Sequence, residues 1–206
     1  MLTSDALIAS TIVRSTTVAV TRSPSSNHVE VTFTAPATPG QLARFSGVLT
    51  LCDLDIVWAT IRVRGDEVCD TFECAPVDRD CDPDHIGHHV NTVLEDVLAG
   101  RVNLRTVLAE RQRAAGPLLD VTPAVEIDTD SELTTGIRVR TVDRRGLLYD
   151  LASTITEHGL RTRSITVLTV AGLARDTFRV VDRQGLPPRE PHSLEALRSA
   201  LHGACR

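Results

Sequence analysis

The chain contains no lysine. All 22 of its basic side chains are arginine, scattered rather than gathered on one predicted face, against 27 Asp and Glu, for a formal charge of −5. Aromatic residues are scarce too, at 3%. A basic groove with stacking platforms cannot be assembled from that inventory, which argues against nucleic-acid binding. No run of about 18 apolar residues is present, and Met1-Leu2-Thr3-Ser4-Asp5 offers no basic stretch followed by an apolar one. We therefore expect a soluble, cytoplasmic protein with no membrane partner. The five cysteines, Cys52, Cys69, Cys74, Cys81 and Cys205, are odd in number and irregular in spacing. They read as reduced thiols, not as a disulfide framework.

What is present is enough apolar material, 42% of 206 residues, for one large core or two small ones. The most informative stretch is Ile137 to Ile155. Ile137 and Val139 alternate as in a strand, Asp143-Arg144-Arg145-Gly146 follows, and the apolar period then becomes three or four at Leu147, Leu148, Leu151 and Ile155. A strand turns sharply into a helix there. Gly146 permits a close backbone approach, and the first helical amides, at Leu147 and Leu148, have no partners within the helix. The turn therefore reads as a cradle for a carboxylate or phosphate.

The rest of the chain repeats this plan. Residues 1–14 carry a weak apolar pattern, expected as a short helix or a leader. Val18 and Val20 alternate, a turn-rich Ser23 to Asn27 follows, and Val29, Val31 and Phe33 alternate again: a hairpin. After Ala37-Thr38-Pro39-Gly40, Leu42, Phe45, Leu49 and Cys52 mark one face of a helix. Strands are expected at Ile56 to Val63 and Val68 to Ala75, then a helix capped by Asp82-Pro83 and ended by Gly100. An arginine-rich helix with a break at Gly116-Pro117 fills residues 101–123. A second set follows: strands at Val125 and Ile127, at Ile137 and Val139, at Ile165 to Val170 and at Asp176 to Val181, with a short last helix bearing Leu194, Leu197 and Leu201.

A shift of 106 positions takes Gly40 to Gly146, Leu42 to Leu148, Leu54 to Leu160, and Asp70-Thr71-Phe72 onto Asp176-Thr177-Phe178. The chain is an internal repeat. We expect an α+β fold of two ferredoxin-like modules, each an antiparallel sheet with both helices on one face. The expected organisation is a leader over 1–16, a first module over 17–100, a linker over 101–123 and a second module over 124–206. Only Gly203 to Arg206 follow the last helix, so the fourth strand of a βαββαβ unit must come from elsewhere. The leading strand of each repeat is expected to take its place, or the repeats to exchange these strands.

With D-R-R-G-L-L-Y-D-L-A after a strand (Asp143 to Ala152) and T-I-T-E-H-G-L after it (Thr154 to Leu160), the sequence resembles an ACT domain. V-E-I-D-T-D-S from Val125 and D-T-F-R-V-V-D from Asp176 make it most similar to the tandem ACT region that ends bacterial PII uridylyltransferases. The resemblance covers roughly residues 17–202. It implies a non-catalytic regulatory module that binds an amino acid, glutamine first, at the seam between paired ACT domains, with pairing inside the chain or in a homo-oligomer and a regulated protein partner downstream. By position, the ligand-binding turn is Asp143, Arg144, Arg145, Gly146, Leu147 and Leu148 in the second repeat. In the first it is Ala37, Thr38, Pro39, Gly40, Gln41 and Leu42. The facing strands would contribute residues near Trp58, Ala59 and Thr60, or near Ser164, Ile165 and Thr166. The family turn reads D-R-P-G. The second repeat keeps the acid and lacks the proline, whereas the first keeps proline and has Ala37 for the acid. Asp143 can pair with an ammonium group while helix-end amides hold a carboxylate. If one site works, it is expected to be the one at Asp143.

Other constellations carry less. Cys74, Cys81, His85, His88 and His89 are the one metal-like cluster, but without a C-x-x-C pair they read as a strand end, a loop and the start of an amphipathic helix. Ser46-Gly47 with Asp53-Leu54-Asp55 superficially resembles a nucleotidyltransferase pattern in reversed order, at the end of a helix. No nucleophile and base, metal pair or phosphate loop can be assembled, so neither catalysis nor a cofactor is expected. Trp58 and Tyr149 read as core or interface residues more readily than as ligand stackers. The competing reading is a ligand-free interaction module that pairs through its sheets. A regulatory fragment of a nitrogen-signalling uridylyltransferase is a third.

Overall fold

The computed structural model describes residues 16–23, 26–76, 82–113 and 121–206. The expected leader, Cys81 and the Gly116-Pro117 break lie outside the described residues, Thr16 excepted. In chain order the elements are β1 (Thr17–Arg22), β2 (Val29–Pro36), α1 (Gln41–Leu51), β3 (Leu54–Arg64), β4 (Glu67–Pro76), α2 (Pro83–Leu98) and α3 (Leu104–Arg113), then β5 (Ala124–Asp128), β6 (Thr135–Val142), α4 (Leu147–Glu157), β7 (Arg161–Val170), β8 (Leu173–Val181) and α5 (Pro191–Ala204). Both ends of β2 and α1 map onto both ends of β6 and α4 at the 106-residue shift.

The eight strands form one antiparallel sheet in the order β1-β2-β4-β3-β7-β8-β6-β5. Within each half the leading strand lies antiparallel beside the first strand of the unit: β1 pairs β2 through Val20 opposite Val31, and β5 pairs β6 through Val125 opposite Val139. That is the position of the missing fourth ferredoxin strand, and each repeat supplies it from its own chain rather than by exchange. The two modules then join edge to edge. β3 meets β7 in a three-residue ladder, Trp58 opposite Leu168, Ala59 opposite Val167 and Thr60 opposite Thr166. Pairing removes two exposed edges that would otherwise template association.

The core follows from strand alternation. Val29, Val31, Phe33 and Ala35 point inward from β2 while Glu30 is exposed on the other face. In the first repeat Phe33 stacks on Phe45 with ring centroids 4.3 Å apart and meets Phe72 edge-on at 5.8 Å. The second repeat fills the same positions with Val139, Leu151 and Phe178, all buried.

Periodicity assigned α1 one apolar face, yet only Arg44 of its eleven residues escapes burial. The reason is its position: α1 packs on β3 of the sheet and touches α2, α3 and α4. Its polar groups are satisfied internally, Ser46 Oγ donating to Leu42 O at 2.7 Å and Thr50 Oγ1 to Ser46 O at 2.8 Å. Gly47 makes the crowding possible, since a Cβ there would lie 2.9 Å from both Leu104 and Tyr149 side-chain carbons. The last helix, expected as short, runs for 14 residues. Glu190 starts it early, its carboxylate accepting from His192 N at 2.9 Å and Ser193 N at 2.6 Å, with Pro191 in the first turn. Among the described residues no helix is long and apolar enough to cross a membrane.

Candidate functional site

The two strand-to-helix turns have one backbone. Gly40 (φ 75°, ψ 9°) and Gly146 (φ 77°, ψ 5°) both stand before their helices in the left-handed region, which favours glycine at each turn. Each turn opens onto a cleft along the seam between the repeats. The cleft before α4 is lined by the turn Asp143 to Leu148, by Val167, Thr169, Ala174 and Asp176 of its own repeat, and by Thr50, Leu54, Asp55 and Ile56 of the other. The cleft before α1 is lined by Ala37 to Leu42 with Ile61, Val63, Val68 and Asp70, and across the seam by Thr156, Arg161, Thr162 and Arg163. At the 106-residue shift these linings are counterparts, except that Leu54 lines only the cleft before α4 and Arg163 only the cleft before α1. Their volumes differ: ≈ 20 Å³ before α4 and ≈ 80 Å³ before α1.

Three carboxyl groups share the α4 cleft. Asp143 Oδ2 accepts from Thr169 Oγ1 at 2.9 Å. Burial pushes the Asp143 carboxyl above its ordinary value, and the neighbouring Asp55 acts in the same direction against the lowering bond from Thr169. Asp176 is only 2% exposed, has no hydrogen-bond partner for Oδ1, and is pushed up to about 7 by burial and by the charge of Asp143. Asp55 is also raised by burial, with Arg145 opposing. Arg144 and Arg145 act on Asp143 and Asp55, whereas Asp176 has no cation acting on it, and a desolvated acid in that position is costly.

The arginines of this turn are already engaged. Arg144 Nη2 donates to Asp150 Oδ2 and to Ala204 O, each at 2.6 Å, tying the turn to α4 and to the end of α5. Arg145 Nη1 reaches Asp53 Oδ1 of the first repeat at 2.7 Å, and Arg111 of α3 meets the same oxygen at 3.4 Å. Gln112 of α3 donates to Asp150 at 2.8 Å, and a Cβ on Gly146 would sit 3.0 Å from its Nε2. So α3 leans on the turn rather than serving only as a connector.

Several expectations change. The Leu147 amide is not free: it donates to Arg144 O at 3.1 Å, closing the turn on itself. In the first turn Gln41 folds back, its Oε1 accepting from Thr38 N at 3.2 Å, while Thr38, Pro39 and Gly40 line the α1 cleft. Trp58 and Ser164 line neither cleft. Both are exposed on the helix-free face of the sheet, Trp58 beside Leu168, because a ladder residue one place off the inward register points away from the core. The cross-seam contributions come instead from the starts of β3 and β7. Asp53 and Asp55 do not end a helix. Asp53 takes a left-handed conformation (φ 57°) after α1, and Asp55 lies in β3.

Asp70 and Asp176 were visible in the sequence only as part of a shared tripeptide. Their signal was there: each is an acid at an inward position of an alternating strand, with Val68, Phe72 and Cys74 around one and Ala174, Phe178 and Val180 around the other. A charge on an apolar face, twice at one register, marks a site more sharply than the turn alone.

Known proteins bear on this arrangement as follows. No family model matches the chain. Three curated relatives are each a bifunctional uridylyltransferase/uridylyl-removing enzyme. That of Bradyrhizobium diazoefficiens is 33% identical over 177 residues, 84% of this chain and 19% of the relative. That of Nitrobacter winogradskyi is 33% identical over 178 residues, 84% of this chain and 19% of the relative. That of Gluconobacter oxydans is 30% identical over 191 residues, 86% of this chain and 20% of the relative. The chain therefore spans about a fifth of the length of the relatives it matches. It folds as a tandem pair of ferredoxin-like modules and is similar to one part of the bifunctional uridylyltransferase/uridylyl-removing enzymes.

Proposed function

We propose that this chain is a non-catalytic regulatory module that binds an amino acid in the α4 cleft, glutamine being the first candidate, and reports occupancy to a partner in nitrogen metabolism. The observation that carries the reading is the pair of desolvated carboxyls, half-buried Asp143 and buried Asp176, beside the start of α4. An α-ammonium group would sit between them, and the ligand carboxylate would face the Gly146 turn and the positive end of the helix. The side chain would lie against Thr50 and Ile56 of the first repeat. A cleft of ≈ 20 Å³ holds a group the size of ammonium but no whole amino acid, so binding widens the seam between repeats. That widening, felt by Arg145 and by Gln112 of α3, is the signal.

Thermal-shift and calorimetric screens of the common amino acids should find a stabilising ligand. Occupancy at a hundred times Kd adds about 2.7 kcal/mol of stability. Asp143→Ala should abolish the shift while the chain remains folded. No shift with any amino acid at millimolar concentration would overturn the proposal. The ligand-free pairing reading has one observation in its favour, the exposed Trp58 and Leu168 side by side on the open sheet face. Under it, Asp143→Ala would leave stability with and without amino acids unchanged, and Trp58→Ser would alter the oligomeric state seen by sedimentation.

A further inference from the structure

We propose that the α1 cleft is a second binding site of opposite charge, which takes a small carboxylate compound of net negative charge. The two clefts differ position by position across the repeat. Where the α4 cleft has Asp143, the α1 cleft has Ala37; where Asp55 crosses the seam in the first, Arg161 does so in the second. Val57 is replaced by Arg163 at the same shift. Only the buried acid is retained, Asp70 standing for Asp176. Two acids are lost, and the two arginines of the α4 turn, replaced by Thr38 and Pro39, give way to Arg161 and Arg163, so three acids with two arginines become one acid with two arginines and the balance of charge changes sign.

The arginines are uncompensated. Arg161 donates to the carbonyl oxygens of Asp182 and Arg183, at 3.4 and 3.1 Å, which orients the side chain without neutralising it. Among the described residues no carboxylate lies within ion-pair distance of Arg161 or Arg163, in contrast to Arg144 and Arg145 of the other cleft. Both residues line the cleft, and their guanidinium groups lie near one another beside the 182–185 turn: a side chain on Gly185 would lie 3.8 Å from Arg163 Nη2 and 3.9 Å from Arg161 Nη2. Two like charges held together without a counter-ion form an anion receptor, and guanidinium groups match a carboxylate in shape as well as charge.

Depth supplies the second recognition element. Asp70 lines the interior of this cleft at 1% exposure, with Oδ1 unpartnered. A ligand that places a carboxylate at the arginines and an ammonium or hydroxyl group at Asp70 satisfies both ends. The cavity, ≈ 80 Å³, admits several non-hydrogen atoms without opening. Acidic amino acids and hydroxydicarboxylates have this pattern. The inference stands on these residues alone and does not need the α4 cleft to be occupied.

The test is calorimetry at constant ionic strength on the full chain with L-glutamate, L-aspartate, L-malate and succinate, repeated on Arg163→Gln, Arg163→Lys and Asp143→Ala. Arg163 is exposed, so its variants are expected to fold, which circular dichroism verifies. The expected result is saturable binding of the first three compounds and weaker binding of succinate, which has no donor for Asp70. Arg163→Gln should weaken it at least tenfold, Arg163→Lys should restore part of it, and Asp143→Ala should leave it unchanged. Absence of saturable binding by all four compounds overturns the proposal, as does an Arg163→Gln variant that binds as tightly as the parent. Loss in Asp143→Ala with retention in Arg163→Gln also overturns it, because the anion is then held before α4. A neutral amino acid lost only in Asp143→Ala tests the α4 reading separately.

Discussion

The cleft before α4 and the cleft before α1 share a left-handed glycine, an eleven-residue helix and a buried strand aspartate, yet one is lined by three acids and two arginines engaged with Asp150 and Asp53, and the other by one acid and two arginines. Duplication preserved what the backbone needs, because a turn with φ near +75° and a helix wedged on a sheet tolerate few alternatives. The linings were free to diverge, since a residue at a seam answers to a ligand and to the opposite repeat. The second difference is α3. It packs beside the α4 turn through Arg111 and Gln112, and the smaller volume of that cleft goes with this contact. Nothing among the described residues leans on the Gly40 turn in the same way, where a Cβ would meet only Thr156 at 3.4 Å.

The comparison can be broken most forcefully at the buried aspartates. Asp70 and Asp176 are both pushed up to about 7 from 3.8 by burial, so the folded chain binds their protons more tightly than the unfolded chain. The stability that each contributes is complete below the unfolded value and is lost as pH rises through about 7. Asp70→Asn and Asp176→Asn should each flatten this dependence and be more stable than the parent at pH 8 by ~2–4 kcal/mol, measured by urea denaturation at pH 5 and pH 8. Asp143→Ala should reduce the slope due to Asp176 and leave that due to Asp70 untouched, because only Asp176 feels the Asp143 charge. Equal slopes in all variants would contradict the assignment.

A smaller effect is expected at the turns. Gly40→Ala and Gly146→Ala both force a Cβ into the left-handed region, at a cost of about 1–2 kcal/mol each. Gly146→Ala should cost more, because Gln112 must also withdraw from Asp150. Denaturation of the two variants side by side checks the order. The smallest effect belongs to the exposed bridge across the seam: Arg145→Ala should lower stability by less than about 1 kcal/mol, since both partners are about half exposed. Its effect on ligand response should be larger than its effect on stability if the seam transmits occupancy.

Much of the fold was legible, and particular residues show why. Alternation at Val29, Val31 and Phe33 and the punctuation at Pro39-Gly40 and Gly146 are local signals, each read within about ten residues, and the 106-residue register follows from laying one such set over the other. The permuted fourth strand was legible as well, from a short loop that leaves the leading strand no choice but an antiparallel neighbour. Arg44 shows the limit on α1: it is the one residue of that helix left partly open, which no period announces because α2, α3 and α4 cover the other faces. Trp58 shows the limit at the site. The family resemblance implied a facing role for it, but a strand sends alternate residues to opposite sides, and the inward register at the seam belongs to Ala59.

By itself, then, the sequence determined the two modules, their helices, their turns and their common register, because these rest on backbone sterics and on which residues alternate. Only the tertiary structure decided that the modules fuse through β3 and β7, that Asp55 and Arg161 each cross into the other repeat's cleft, and that Asp70 and Asp176 line those clefts with one carboxyl oxygen each left without a partner. The physical reason is separation: a charge acts through space over several ångströms of desolvated protein, and residues more than eighty positions apart meet there only after the sheet has closed.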